Sequence, residues 1–549
     1  MLDSSVYADT FARDHLPPFD LWPAIDTEAL AALGYPSRVN AAVELLDGAL
    51  ASGFGERPCL RSIDATWTYA ELLDTANRIA AVLVRDFGLV PGNRVLLRSA
   101  NNAMLAACWF AVLKAGGIAV TTMALLRARE LTQAINKAEV QIALCDIRLS
   151  EELESARPAC PTLRQIGYFN SAEADGVEAR MRAASGDFDN VIPSHDDVAL
   201  IAFTSGTTGA PKATMHFHRD ALAICDCYPE AVLRSTPDDI FAGSPPLGFT
   251  FGLGVLLLFP MRRGASTVLL ERCTPESLLQ ATQDFRVTTM MTGPTLYRAM
   301  TPLLPRFDVA SLKTCGSAGE HLPVAVFDEW LKRTGVRILD AMGSTEMLHN
   351  FIGIPREDIR AGSTGVALPG YKAIVVDDAM NPVPPNVVGR LAVRGPTGCR
   401  YLDDPERQKA YVRDGWNLTG DAFRQDEDGF FWYHARSDDM IISSGYNISG
   451  AEIEEVLLGH PDVRECAVVG VADLARGQIV KAYIVPNGKS VADENLAAAL
   501  QDFVKNAVAP YKYPRAIEFV GELPRTGTGK IRRSTLRQSA ELSSSSAAE

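Results

Sequence analysis

The sequence predicts an α/β protein: a large N-terminal body of mixed and parallel sheets with flanking helices, followed by a small α+β C-terminal domain. Three observations predict it. The chain has 549 residues, too many for one ordinary compact core. Its first part alternates short apolar strand-like runs with helix-period runs, the pattern of parallel sheets with helices on their faces. After about Tyr433 the pattern changes to a unit of about 110 residues, close to the usual size of a domain.

The elements follow in order. Residues 70–86 have helical periodicity, and residues 94–98 (RVLLR) form a short apolar strand after the turn Pro91-Gly92. Residues 102–115 read as a helix and 118–122 as a strand, and 142–146 and 198–204 continue the alternation. In the second unit, 451–458 and 495–508 read as helices, and 465–471, 480–485 and 516–520 as strands. The boundary falls in the short charged stretch Ala435-Arg436-Ser437-Asp438-Asp439, which divides the chain into 1–436 and 437–549. The Ser/Ala-rich end, 543–549, is expected to fray.

Composition excludes several classes of function. Apolar residues make up 47% and charged residues 22% of the chain, a globular balance. The formal net charge of −14 argues against a nucleic-acid partner, which needs a basic face. It leaves anionic small substrates open, because a site can be locally positive inside an acidic protein. The start has no basic segment leading into an apolar run, and the longest apolar stretch, near 252–260, is short of a membrane span. No signal peptide and no membrane partner are therefore expected. The ten cysteines form no framework and suit a reducing cytoplasm. Cys225 and Cys227 lie near His216 and His218, but no second ligand pair follows. Buried thiols and a strand histidine are the favoured reading over a zinc site.

The clearest motif is Thr204-Ser205-Gly206-Thr207-Thr208-Gly209-Ala210-Pro211-Lys212, which follows the apolar run VALIAF. Glycines let backbone N–H groups approach a phosphate closely, and the hydroxyls add donors. Lys212 adds a point charge. The motif is not a Walker loop, because Pro211 separates the second glycine from the lysine and 213–218 read as a strand.

That string resembles the phosphate loop of the adenylate-forming superfamily, which contains acyl-CoA ligases, luciferases and peptide-synthetase adenylation domains. Further matches follow in the same order from about Trp67 to Arg533. Ser317-Ala318-Gly319-Glu320 resembles the family's adenine-facing segment. Asp340-Ala341-Met342-Gly343-Ser344-Thr345-Glu346 resembles its Gly-x-Thr-Glu motif, which implies that Asp340, Gly343 and Ser344 border the nucleotide. There the threonine contacts the α-phosphate and the glutamate helps to hold Mg²⁺, a hard cation suited to oxygen ligands. Thr419-Gly420-Asp421 resembles the ribose motif, and the resemblance implies that Asp421 and Arg436 contact the ribose. Alone, Asp421 reads as a solvated turn residue.

The stretch from Arg436 to Ile448 resembles the family's hinge. The resemblance implies that the small domain is mobile, with Asp438 as pivot and Ser444-Gly445 lining the tunnel for coenzyme A. Pro524-Arg525-Thr526-Gly527-Thr528-Gly529-Lys530 resembles the C-terminal catalytic loop, with Lys530 at its tip. The resemblance therefore implies ATP, Mg²⁺ and coenzyme A as cofactor and co-substrates, with Lys530, Thr345 and Glu346 as catalytic residues. No nucleophile elbow is present, and none is needed for attack of a carboxylate on ATP followed by a thiol on the adenylate.

The acid pocket is expected at Phe249, Thr250, Phe251, His349 and Asn350. Pro246-Leu247-Gly248-Phe249-Thr250-Phe251-Gly252 falls where the family places an aromatic residue beside the carboxylate. Glu346-Met347-Leu348-His349 resembles the benzoate–CoA ligase branch. Two aromatics with small residues suit a flat ring. Asn350 departs from that branch, which tends to be apolar there. The N-terminal Asp14-His15-Leu16-Pro17-Pro18 with Trp22-Pro23 resembles the 2-aminobenzoate–CoA ligases. A small aromatic carboxylate is the expected partner, with 2-aminobenzoate first and benzoate or salicylate as alternatives. An adenylation domain feeding a carrier protein also stays open, although SPPLGFTFGLG carries no charge for an α-amino group. Monomer and homodimer both stay open.

Overall fold

Side chains that cap helix ends also fix where the helices start. Thr68 Oγ1 accepts from Glu71 N (3.2 Å) while Glu71 Oε2 accepts from Thr68 N (2.8 Å), a reciprocal cap that starts the helix Tyr69–Arg85. Asn102 Oδ1 accepts from Leu105 N (3.0 Å) and starts the helix Ala103–Lys114. The computed structural model describes residues 4–204, 212–436, 439–443, 446–473, 476–488, 491–508, 512–526 and 529–546.

Among the described residues the strands form four sheets. A six-stranded sheet runs in the order Gln165–Phe169, Ile142–Asp146, Arg94–Ser99, Ile118–Met123, Val198–Thr204, Lys212–Phe217. It is parallel except for its last strand, which returns antiparallel with Leu200 opposite His216 and Thr204 opposite Lys212. A nine-stranded sheet has Ile240–Gly243, Thr289–Thr292, Thr314–Ala318 and Ile338–Gly343 as parallel neighbours near its centre. The α/β reading of the body therefore holds, and the alternation expected between residues 70 and 204 is present element by element.

A third, antiparallel sheet contains Lys372–Val376, Gly389–Arg394, Trp416–Gln425, Val412–Arg413 and Phe431–Arg436, and the sequence reading assigned no elements to it. Its first strand is exposed at Lys372 and buried only at its last two residues. Half-buried antiparallel strands have mixed composition and lack the continuous apolar run of a parallel one. The C-terminal sheet joins Ile441–Ser443, Tyr446–Ile448, Val463–Asp473, Gly477–Pro486 and Ala516–Phe519. The helices Gly450–Leu458 and Glu494–Ala507 belong to the same core.

Of the end expected to fray, residues 543–546 continue the helix Arg533–Ser546 and 547–549 lie outside the described residues. Leu536 and Ala540, one turn apart, are both buried, and Tyr483 Oη donates to Leu536 O (3.0 Å). Packing at i and i+4 stabilises a helix that its composition alone would not. All ten cysteines are free, and all but the half-buried Cys273 are buried. Among the described residues no helix is long and apolar enough to cross a membrane.

Candidate active site

The three sheets of the body and the C-terminal unit meet at a cleft of about 1640 Å³. Loops collect there because parallel strands deliver their C-terminal ends to one edge of each sheet. Lys212 enters from the strand that leaves the phosphate motif. Ala318, Gly319 and Glu320 follow the strand Thr314–Ala318, and Gly343, Ser344, Thr345 and Glu346 follow the strand Ile338–Gly343. Asp421 and Arg436 come from paired antiparallel strands. Phe249, Thr250, Phe251, His349 and Asn350 line the same cleft.

Thr204 ends its strand opposite Lys212. Ser205, Gly206, Thr207, Thr208 and Gly209 lie outside the described residues, as do Asp438, Ser444 and Gly445. Ser317 is fully buried beside its sheet neighbour Asp340, which lines the cleft.

The nucleotide end of the cleft has two incompletely satisfied carboxylates. Asp421 Oδ1 accepts from Arg436 Nη1 (3.2 Å), and the same nitrogen donates to Thr419 O (3.1 Å). Asp421 Oδ2 is buried without a hydrogen-bond partner. Burial raises this carboxyl above the usual range, and the Arg436 charge opposes that. Asp340 stands opposite Ser317 in the sheet, and its Oδ1 is also buried and unpartnered. Burial pushes Asp340 up to about 7, opposed by His321. His321 stacks on Tyr433 with ring centres 5.4 Å apart. Buried polar atoms without partners are rare in folded proteins. Acceptors of this kind fit a ligand that brings hydroxyl and amino donors, as a nucleoside does.

The other end is aromatic. His349 Nε2 lies 3.4 Å from Phe251 O, and its ring is flanked by Phe259 (4.6 Å), Phe251 (5.9 Å) and Tyr228 (6.1 Å). Gly254 makes this possible, since a Cβ there would sit 2.3 Å from His349 Cδ2. Burial pushes His349 down to about 3, so the ring is neutral. Asn350 is only 3% exposed, and its amide adjoins the Tyr228 hydroxyl. Tyr228 and Phe259 escaped the sequence reading. They come from the end of one helix and the start of another, and no motif marked either. The N-terminal Trp22 packs instead on Phe217 (5.8 Å) and Arg400 (5.0 Å), and does not line the cleft.

Lys530 reaches the cleft from the C-terminal unit. Its turn is closed by Thr526 N donating to Lys530 O (2.7 Å) and Lys530 N donating to Thr526 Oγ1 (3.1 Å). The ammonium lies 5.9 Å from the Phe249 ring centre. It also passes over Gly319, where a Cβ would stand 3.6 Å from Lys530 Cε. Gly319 has φ +90°, a conformation open to glycine. Loss of water lowers the Lys530 pKa, the carboxylates of Glu320 and Asp421 hold it up, and Arg436 pushes it down. Arg298 Nη2 donating to Val463 O (3.2 Å) helps to hold the two units in this arrangement.

Two more contacts escaped the sequence reading. Tyr401 Oη donates to Glu346 Oε1 (2.9 Å), and His216 Nε2 lies 2.8 Å from Thr345 O. Glu346 thus presents a half-buried carboxylate to the phosphate side of the cleft, a hard oxygen donor of the type Mg²⁺ takes together with phosphate oxygens.

Comparison with known proteins fits this geometry. The family model described as AMP-binding enzyme matches residues 49–400, and that of the AMP-binding enzyme C-terminal domain matches 452–530. A benzoate–CoA ligase of Thauera aromatica is 34% identical over 511 residues, covering 92% of this chain and 97% of that protein. The crystal structure of the anthranilate CoA ligase AuaEII in complex with anthranoyl-AMP superposes with a TM-score of 0.89 at 31% identity, covering 93% of this chain and 99% of that one. A benzoate CoA ligase from Burkholderia xenovorans LB400 gives a TM-score of 0.83 at 30% identity, covering 91% and 99%.

Proposed function

The chain belongs to the AMP-binding enzyme family, and from that membership we propose that it forms 2-aminobenzoyl-CoA. At the coarser level it is an AMP-forming acyl-CoA ligase, which uses ATP, Mg²⁺ and coenzyme A. An acid oxygen attacks the α-phosphorus and pyrophosphate leaves. The coenzyme A thiol then attacks the acyl carbon and AMP leaves. Neither step needs a protein nucleophile; alignment and charge stabilisation dominate.

In this reading Asp421 accepts the ribose hydroxyls, Asp340 faces the adenine, and Lys212 and Thr345 face the phosphates. Glu346 would hold Mg²⁺, which supplies positive charge against the triphosphate. Lys530 bridges the incoming carboxylate and the α-phosphate. The aromatic end, lined by Phe249, Phe251 and His349 with Phe259 and Tyr228 packed behind His349, takes the ring.

The observation that carries the substrate is Asn350. Its amide is buried at the pocket beside the Tyr228 hydroxyl. An amide has both a carbonyl and an NH₂ group, and its orientation is set by the hydrogen bonds it makes. Turned over, it offers the carbonyl to an ortho amine. Asn350→Ile should lower kcat/KM for 2-aminobenzoate by about 1–3 kcal/mol relative to benzoate, the cost of one buried hydrogen bond left unmade. Steady-state kinetics on both acids checks this. An equal loss on both would make the residue structural and remove the basis for this substrate.

The proposed division at 436/437 carries a second expectation. With Asp438 as pivot, Asp438→Pro fixes φ near −65° and should slow thioester formation far more than adenylate formation. Single-turnover measurement of the two half-reactions decides it, and equal losses would count against a hinge there.

A further inference from the structure

We infer that His216 is a positioning residue for adenylation, tying the strand that leaves the phosphate motif to the turn that carries Thr345 and Glu346. The inference rests on the proposed reading of Thr345 as an α-phosphate contact. It starts from a histidine that composition marks only as a buried strand residue.

His216 lies in the strand Lys212–Phe217 and is fully buried. Ala213, Met215 and Phe217 face one apolar layer, and the strand alternation sends Thr214 and His216 to the other side. There His216 Nε2 meets Thr345 O at 2.8 Å. A carbonyl only accepts, so Nε2 carries the hydrogen. Thr214 Oγ1, 3.2 Å from the same nitrogen, donates to Ala202 O, so it too meets that nitrogen as an acceptor. The tautomer is therefore fixed with Nδ1 unprotonated. Nδ1 has no hydrogen-bond partner and faces Asp220 Oδ2 at 3.9 Å.

Asp220 is already engaged. Its Oδ2 accepts from Arg400 Nη1 (2.9 Å) and from Phe217 N (3.0 Å). Arg400 packs over the Phe217 ring at 4.0 Å, and both members of the ion pair are fully buried. The Arg400 charge offsets that of Asp220, so the pair does not draw a proton onto Nδ1. It forms a rigid backing that holds the imidazole plane.

The turn on the other side is held by local bonds and by side chains from other segments: Tyr401 Oη donates to Glu346 Oε1 (2.9 Å) and Thr397 Oγ1 to Met347 O (2.9 Å). Leu348 N donates to Thr345 O (3.0 Å) and Met347 N to Ser344 O (3.2 Å). The imidazole is the bond that reaches this turn from the phosphate-motif hairpin, across 129 residues of sequence. Since His216 does not line the cleft, it acts through Thr345. A misplacement of about 1 Å at a reacting centre costs about a hundredfold in rate, and the loss should fall on the step in which Thr345 meets the α-phosphate.

The test uses full-length His216→Gln, His216→Asn, His216→Leu and Thr345→Ala. Rapid-quench kinetics measures adenylate formation, and thioester formation from supplied aryl-adenylate is measured separately. A glutamine amide nitrogen occupies the place of Nε2, and an asparagine is too short to reach Thr345 O. We expect His216→Leu and His216→Asn to lose about 10- to 100-fold in the adenylation rate constant. KM for the acid and the thioester step should stay within about threefold, and His216→Gln should recover most of the loss. Leu at the native rate, or Gln falling as far as Asn, overturns the inference, as does an equal loss in both half-reactions. If the Leu variant does not fold, the Gln and Asn pair decides alone. Thr345→Ala slow with all His216 variants native overturns this inference only. Thr345→Ala at the native rate removes the reading of Thr345 on which it stands.

Discussion

Lys530→Ala should cut adenylate formation by at least about a hundredfold, the usual scale for one preorganised donor aimed at developing charge. Its ammonium stands in the cleft over Gly319 and near the Phe249 ring, between the proposed nucleotide and acid ends. It is drawn there against the cost of losing water by the Glu320 and Asp421 carboxylates. A bound triphosphate would add to that attraction. The contact strengthens as charge builds on the α-phosphate, so ATP binding should weaken far less than turnover. Given pre-made aryl-adenylate and coenzyme A, the same mutant should form thioester at near the native rate, because in the proposed hinge reading the small domain would rotate and carry Lys530 away. Rapid-quench kinetics on both half-reactions is the measurement. A mutant that adenylates normally, or loses both steps alike, sinks the assignment.

Asp421→Ala should lower kcat/KM for ATP by about a hundredfold or more, with most of the change in KM. The carboxylate keeps one buried oxygen without a partner and holds the other on Arg436. A hydrogen bond to a charged group is worth about 1.5–3 kcal/mol, and the ribose offers two hydroxyls. The substitution also leaves Arg436 without that carboxylate. Deoxyribose ATP analogues separate these effects. The native enzyme should discriminate strongly against the analogue that lacks a contacting hydroxyl, and Asp421→Ala should hardly discriminate. If the mutant keeps native discrimination between ATP and its deoxy analogues, the oxygen serves the fold and the ribose is read elsewhere.

The α/β alternation up to residue 204 was legible because buried parallel strands are continuous apolar runs separated by helix-period segments. The long C-terminal strands pair antiparallel, but their central runs are buried and apolar and were legible as well. The antiparallel sheet that carries Asp421 and Arg436 was not, because its half-buried strands mix polar and apolar residues. Those two residues were found only through ordered motifs. Among the residues that line the cleft, the motifs named Lys212, Glu320, Thr345, Glu346, Asp421, Arg436 and Lys530, because phosphate, ribose and metal chemistry restrict residue types at close spacing.

By itself the sequence determined the fold class and the order of the first elements of the body, which are local properties of composition and periodicity. The expected site residues Lys212, Thr345, Glu346, Asp421, Arg436 and Lys530 came from the family resemblance of their motifs. Only the tertiary structure decided what stands behind and beside them. His216 reaches Thr345 across 129 residues, Tyr401 reaches Glu346 across 55, and Tyr228 and Phe259 close on His349 from separate helices. Such contacts are set by how sheets stack and which faces are buried, and a buried histidine or tyrosine has the same local sequence signal whether it fills a core or holds a catalytic turn.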